Sequence, residues 1–172
     1  MTLVEIVNLD ADLAPELAKI ERLCFPTANP DDLFSEEDIR AYATVFPEGY
    51  FVATVDGLPV GMGAGIYLDF DFDHAQHSIA EITGENQCGN HNPDGEWYYG
   101  TDLTVHPDHQ GEGIGRMLYD RRKDLVRRAG KRGIILVDRC QDFMSTSRRC
   151  PLLLTLKESW PEICSTPRSA SS

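Results

Sequence analysis

The sequence predicts an α/β protein of the α+β type, in which strands and helices share one core. Three observations carry this. Apolar and β-branched runs of strand length recur at 3–7, 50–55, 59–68, 96–105 and 133–135. Apolar residues at helical spacing fill the stretches near 10–24, 35–42 and 113–129. A glycine-rich turn then joins the fourth strand directly to the longest helix. The 172 residues suffice for one hydrophobic core and not for two.

Leu3 to Val7 alternates apolar and polar residues, as a strand does. Asp10 or Asp12 can cap the next helix, in which Leu13, Leu17, Ile20 and Cys24 share one face before Pro26 stops it. Ser35 and Asp38 then form a capping signature for a helix through Tyr42. The acids Asp31, Asp32, Glu36 and Glu37 around this start could attract an amine, or simply solvate it. Tyr50–Val55 and Pro59–Leu68 flank Asp56-Gly57, a strong hairpin signal. Gly61, Gly63 and Gly65 alternate along the second of these strands, so something large approaches that face, an aromatic ring or a ligand arm, with packing the expected reason.

Residues 69 to 95 are polar and read as a substrate-facing insertion. His74, His77, Cys88 and His91 are scattered over it with a spacing that does not specify zinc, and no metal is expected. Glu96 to Val105 is the fourth strand, rich in aromatic and β-branched residues as a central strand should be. In the helix that follows, Ile114, Met117, Leu118, Leu125 and Val126 mark the buried side. Arg121, Arg122, Lys123, Arg127 and Arg128 mark a largely solvated one. Gly130 ends the helix, and Gly133-Ile-Ile135 opens a fifth strand.

The turn itself reads Val105-His-Pro-Asp-His-Gln-Gly-Glu-Gly-Ile-Gly-Arg116. Glycines at 111, 113 and 115 strip away the Cβ atoms that would keep a ligand from the backbone and permit positive φ. The helix beginning near Gly113 offers unpaired amides and the positive end of its dipole, a cradle for a pyrophosphate. A P-loop would need Gly-Lys-Ser/Thr, where this chain has Arg116-Met117, and the dinucleotide fingerprint fits no better.

Gln110-Gly-Glu-Gly-Ile-Gly115, after a strand ending Val-x-Pro, resembles motif A of the GNAT acetyltransferase superfamily. The resemblance implies a mixed central sheet with flanking helices, a V-shaped splay between the fourth and fifth strands, and acetyl-CoA as co-substrate. It implies that the strand end, Leu103, Thr104 and Val105, meets the pantetheine arm. Gln110, Gly111, Glu112, Gly113, Ile114, Gly115 and Arg116 would then hold the pyrophosphate. The implied reaction is direct acetyl transfer to a small amine, with a base taking the amine proton and an acid returning one to the thiolate. Candidate bases are Asp102 and Glu96 on the fourth strand and Glu81 in the insertion, Asp102 being preferred. The general acid usual in the family is a Tyr in a helix after the fifth strand, which this chain lacks, and Tyr119 lies in another helix.

A net charge of −12 argues against nucleic acid and suits a cationic small molecule. No apolar run reaches membrane-spanning length and no leader is recognisable, so a cytoplasmic address is expected. The five cysteines contain no CxxC pair and read as free thiols.

The character of the chain changes at residue 136. All 14 glycines lie before it, and only Ser35 and Ser78 among the serines do. Residues 1–135 therefore read as the acetyltransferase domain and 136–172 as an atypical tail that leaves its C-terminal part incomplete. Read from the third base of each codon, Leu136 to Ser145 admits Gly-Gly-Gln-Val-Pro-Gly-Phe-His-Glu-Tyr, which restores glycines and is similar to the continuation of this GNAT subgroup. The expectation is that the tail is translated out of frame. The functional alternative to a working enzyme is accordingly an inactivated CoA-binding remnant.

Overall fold

The computed structural model describes residues 3–30, 33–74, 77–137 and 153–156. Six strands form one sheet in the order β1-β2-β3-β4-β5-β6, with β1 Val4–Asn8, β2 Phe51–Val55, β3 Leu58–Leu68, β4 Trp97–Val105, β5 Gly133–Val137 and β6 Leu153–Leu156. Every neighbouring pair is antiparallel except β4 and β5, which run parallel, so the sheet is mixed as expected. Both β5 and β6 reach past the change of composition at residue 136.

Alternation along β2 shows how the sheet is covered. Phe51, Ala53 and Val55 pack with Val60, Ile114 and Leu118, beneath α4 (Ile114–Arg128). Tyr50 and Val52 belong instead to the larger core of α1 (Ala14–Cys24) and α2 (Glu36–Val45). Because successive side chains of a strand point to opposite faces, α4 covers one face and α1 with α2 the other.

Local signals account for most boundaries. Asp10 caps a short turn by accepting from the Asp12 amide at 2.9 Å, and Pro15 stands in the first turn of α1. Ser35 and Asp38 complete a capping box at the start of α2. Asp56 and Gly57 both have positive φ (51° and 79°), the requirement of the tight turn whose twist matches its strands. Two elements depart from expectation: β6 lies in the tail, where no strand is expected, and the polar insertion contains α3 (Ile79–Thr83), opened by a second capping box from Ser78 and Glu81. Five residues are too few for a periodicity to reveal.

The alternating glycines of β3 are a packing device. A Cβ at Gly65 would stand 2.3 Å from the Tyr98 ring, whose hydroxyl donates to the Gly49 carbonyl at 2.7 Å. At Gly63 it would press the Arg122 guanidinium at 3.3 Å. Arg122 itself corrects the reading of α4: with Leu118, Tyr119 and Val126 it is buried, whereas Met117 is 37% exposed.

Gly65→Ala should therefore destabilise the protein although alanine is the better strand residue, by about 1–3 kcal/mol, the usual cost of overpacking a filled core. Urea denaturation of the variant against the parent checks this; an unchanged or higher midpoint would mean that the Tyr98 ring has room to move.

Candidate functional site

The site begins where β4 departs from regular pairing. Ala64 lies opposite Asp102 and Gly65 opposite Gly100, so Thr101 is an extra residue, a bulge. A bulge turns consecutive side chains to the same face. Thr101 meets the Tyr42 hydroxyl of α2 at 3.3 Å, while Asp102 shares the Thr104 hydroxyl, at 2.9 and 3.0 Å, with Glu21 of α1 at 3.2 Å. All four of Glu21, Thr101, Asp102 and Thr104 are buried. Among the described residues the parallel pairing with β5 covers Trp97 to Gly100 only, and residues 101–105 of β4 have no ladder partner on that side. This is the splay expected between the fourth and fifth strands.

The open edge leads into the glycine turn. The Val105 carbonyl accepts from the Gln110 side-chain amide at 3.0 Å and from the Cys24 thiol at 3.2 Å, which closes the turn back onto the strand. Burial, aided by Glu21 and Asp102, pushes the Cys24 thiol up to about 11, so it stays protonated and able to donate. Gly111 and Gly113 both have φ of +83°, and an added Cβ at either would meet nothing within 4 Å. Gly115 has no such φ, and a Cβ there would make only an ordinary contact with Val105 at 3.9 Å, so nothing within the chain itself demands a glycine at that position. Among the described residues the amides of 111–116 donate to no other group of the chain, and no side chain caps α4. The turn thus presents consecutive free donors at the positive end of a 15-residue helix. Glu112, within it, is paired with His109 at 3.3 Å.

The three candidate carboxylates stand in different places. Asp102 lies at the bulge. Glu96 precedes β4 at the opposite end from the glycine turn and is paired with Arg132 at 2.8 Å. Glu81 caps α3, its carboxylate accepting from the Ser78 amide at 2.7 Å and held below the usual range by that bond. Among the acids at the start of α2, Glu36 is paired with Arg40 at 2.9 Å, and Asp31 and Asp32 lie outside the described residues.

Two buried charged residues escaped the sequence reading, Glu21 and Arg122. A signal was available: Glu21 falls between Leu17 and Cys24, and Arg122 between Leu118 and Val126, at helical spacing within apolar stripes. A charge inside such a stripe is either buried with partners or misplaced.

The histidines and cysteine of the insertion do not converge, and among the described residues no group of three or more His, Cys, Asp or Glu could hold a metal. His77 meets the Tyr99 hydroxyl at 2.7 Å and His74 pairs with Asp71. Cys88 is buried, its thiol pushed up to about 12. His91 stacks on Phe46 with ring centroids 4.1 Å apart, and its Nδ1 accepts from the Tyr67 amide at 3.2 Å. No helix among the described residues is long and apolar enough to cross a membrane.

Comparison with known proteins places this geometry. Residues 14–145 match the acetyltransferase (GNAT) family. The protein of Bacillus subtilis (strain 168) named "Probable hydrolase YhcX" is 32% identical over 138 residues, which cover 80% of this chain and 26% of that protein. The chain thus spans about a quarter of that relative's length. Among solved structures, the loading GNATL domain of CurA from Lyngbya majuscula superimposes with a TM-score of 0.69 at 16% identity, over 84% of this chain and 69% of that one. The structure of yncA from Salmonella typhimurium with its cofactor acetyl-CoA gives 0.53 at 21% identity, over 77% and 68%.

Burial, reinforced by Lys131, holds the His91 imidazole below the ordinary histidine range. The unfolded chain then binds that proton more readily than the folded one. The stabilisation is complete above an unfolded pKa of about 6.5 and is lost as pH falls through the lower folded value. Unfolding midpoints in urea should drop more steeply below neutrality for the parent than for His91→Gln; equal slopes would show that His91 does not titrate with folding.

Proposed function

The chain belongs to the acetyltransferase (GNAT) family, and from that premise we propose that it transfers the acetyl group of acetyl-CoA to a small cytoplasmic amine. The observation that carries this reading is the run of free amides at 111–116, reached along the uncovered edge of β4. The pyrophosphate sits against Gly111, Glu112, Gly113, Ile114, Gly115 and Arg116, with Gln110 shaping the turn. The pantetheine arm follows β4 past Leu103 and Thr104. A carbonyl has two lone pairs, and that of Val105 already accepts twice, so Val105 guides the arm by its position and the polar contact falls to Leu103.

In the reaction the amine nitrogen attacks the thioester carbonyl, the C–S bond breaks, the amine loses a proton and the CoA thiolate gains one. Asp102 is the base we assign, because it alone of the three candidate carboxylates stands at the bulge. Thr104 holds it and ties it to Glu21.

A second reading is favoured by the change of composition at residue 136: a CoA-binding domain whose chemistry is impaired. We infer that residues from about 136 onward are translated out of frame and that the domain proper is 1–135. The tyrosine acid usual in the family would then be absent from the chain.

Acetyl-CoA should raise the melting temperature of the parent, and Gly113→Val should abolish that protection. The added branches would enter the open space over the turn at a φ that β-branched residues do not tolerate. Undiminished protection in the variant would remove the pyrophosphate from this turn. Release of CoA thiol, followed with DTNB across a panel of small amines, tests the transfer. A gene rebuilt in the shifted frame after Ile135 should gain melting temperature and turnover together; a repaired protein no better in either would make 136–172 a genuine part of the fold.

A further inference from the structure

We propose that Arg122 is a positioning residue for acetyl transfer, acting through the peptide group that joins Asp102 to Leu103; this rests on the acetyl-CoA reading given above. Arg122 rises from α4 and is 1% exposed. Its Nη2 donates to the Ala64 carbonyl of β3 at 2.8 Å and also to the Asp102 carbonyl of β4. Room for the guanidinium is made on both strands: a Cβ at Gly63 would come within 3.3 Å of Nε and Nη2, and one at Gly100 within 3.1 Å of Nη1. A cation buried at this depth, with glycines cleared for it and two carbonyls turned to it, is a built feature of the bulge.

Its consequence follows from peptide geometry. One nitrogen reaches both oxygens, so the Ala64 and Asp102 carbonyls are directed into the same space between β3 and β4. No peptide bond of the described chain is cis, and in a trans peptide the N–H points opposite to its C=O. The Leu103 N–H is therefore directed away from β3, toward the edge that β5 leaves uncovered after Gly100. That is the side on which the thioester lies in the proposed complex. A charge-assisted bond to the Asp102 oxygen polarises the shared peptide, and a polarised N–H is the stronger donor to a carbonyl oxygen that gains negative charge. Arg122 touches no substrate; it aims the Leu103 amide and strengthens it from behind.

Backbone amide NMR of the full chain separates the two halves of this claim and needs no turnover. In the parent, CoA should shift the resonances of residues 111–116, and acetyl-CoA should add a further shift at Leu103. In Arg122→Lys that acetyl-dependent shift should fall by about half or more, since a single ammonium replaces the guanidinium fork, while the response at 111–116 is kept. Gly63→Ala retains the arginine but crowds it and should show the same selective loss, which carries the test if Arg122→Lys does not fold. A Leu103 response unchanged in the folded variants overturns the proposal. So does a parent whose residues 111–116 respond while Leu103 does not. Silence at both places overturns the CoA reading itself.

Discussion

One extra residue in β4 sets the terms for the rest of this molecule. Thr101 interrupts the ladder with β3, and the interruption turns Thr101 and Asp102 to the same face, where a regular strand would send them to opposite ones. Tyr42 and the Thr104–Glu21 pair gather there. At the same point the pairing with β5 stops among the described residues, and that edge becomes the approach to the glycine turn. A β4 without the bulge would send Thr101 and Asp102 to opposite faces.

The bulge is costly, because it displaces backbone carbonyls from their ladder partners in a dry interior. Arg122 offsets that cost from below, and Gly63 and Gly100 offset the volume of Arg122. The chain of dependence therefore crosses three elements, from a residue of α4 through two strands to the open edge. Each member is unremarkable alone: an arginine in a helix, glycines in strands, an aspartate near a threonine. Together they give the Ala64 and Asp102 carbonyls a charged partner in a core that is otherwise aromatic and aliphatic, while among the described residues the Arg122 Nε stays buried without a hydrogen bond.

The end of β4 is held with comparable economy. Gln110 and Cys24 converge on one carbonyl, that of Val105, from opposite directions in the sequence. The turn is thereby closed by side chains of its own and of α1, so that its amides at 111–116 need no partner from the chain. The glutamine of the motif thus serves the shape of the turn, and the glycines serve its accessibility. Gly111 and Gly113 do so through positive φ.

Much of this was legible in the residues alone, wherever the determining interaction is local. The Asp56-Gly57 turn, the Ser35 capping box and the strand-to-helix glycine turn all depend on groups within a few positions of one another, and the structure has them where the sequence places them. The mixed sheet and its splay followed from the resemblance that the glycine turn carries. What only the tertiary structure decided is which charged side chains are inside and what they face. Glu21 and Arg122 sit in apolar stripes, but Thr104 lies 83 positions from Glu21, and Ala64 and Asp102 lie 58 and 20 from Arg122, beyond the reach of any local pattern. The same holds for the glycines of β3, whose spacing announces a close approach without naming the Tyr98 ring or the Arg122 guanidinium that makes it. It holds also for the bulge, which is a mismatch between two strands and so has no existence in either strand alone.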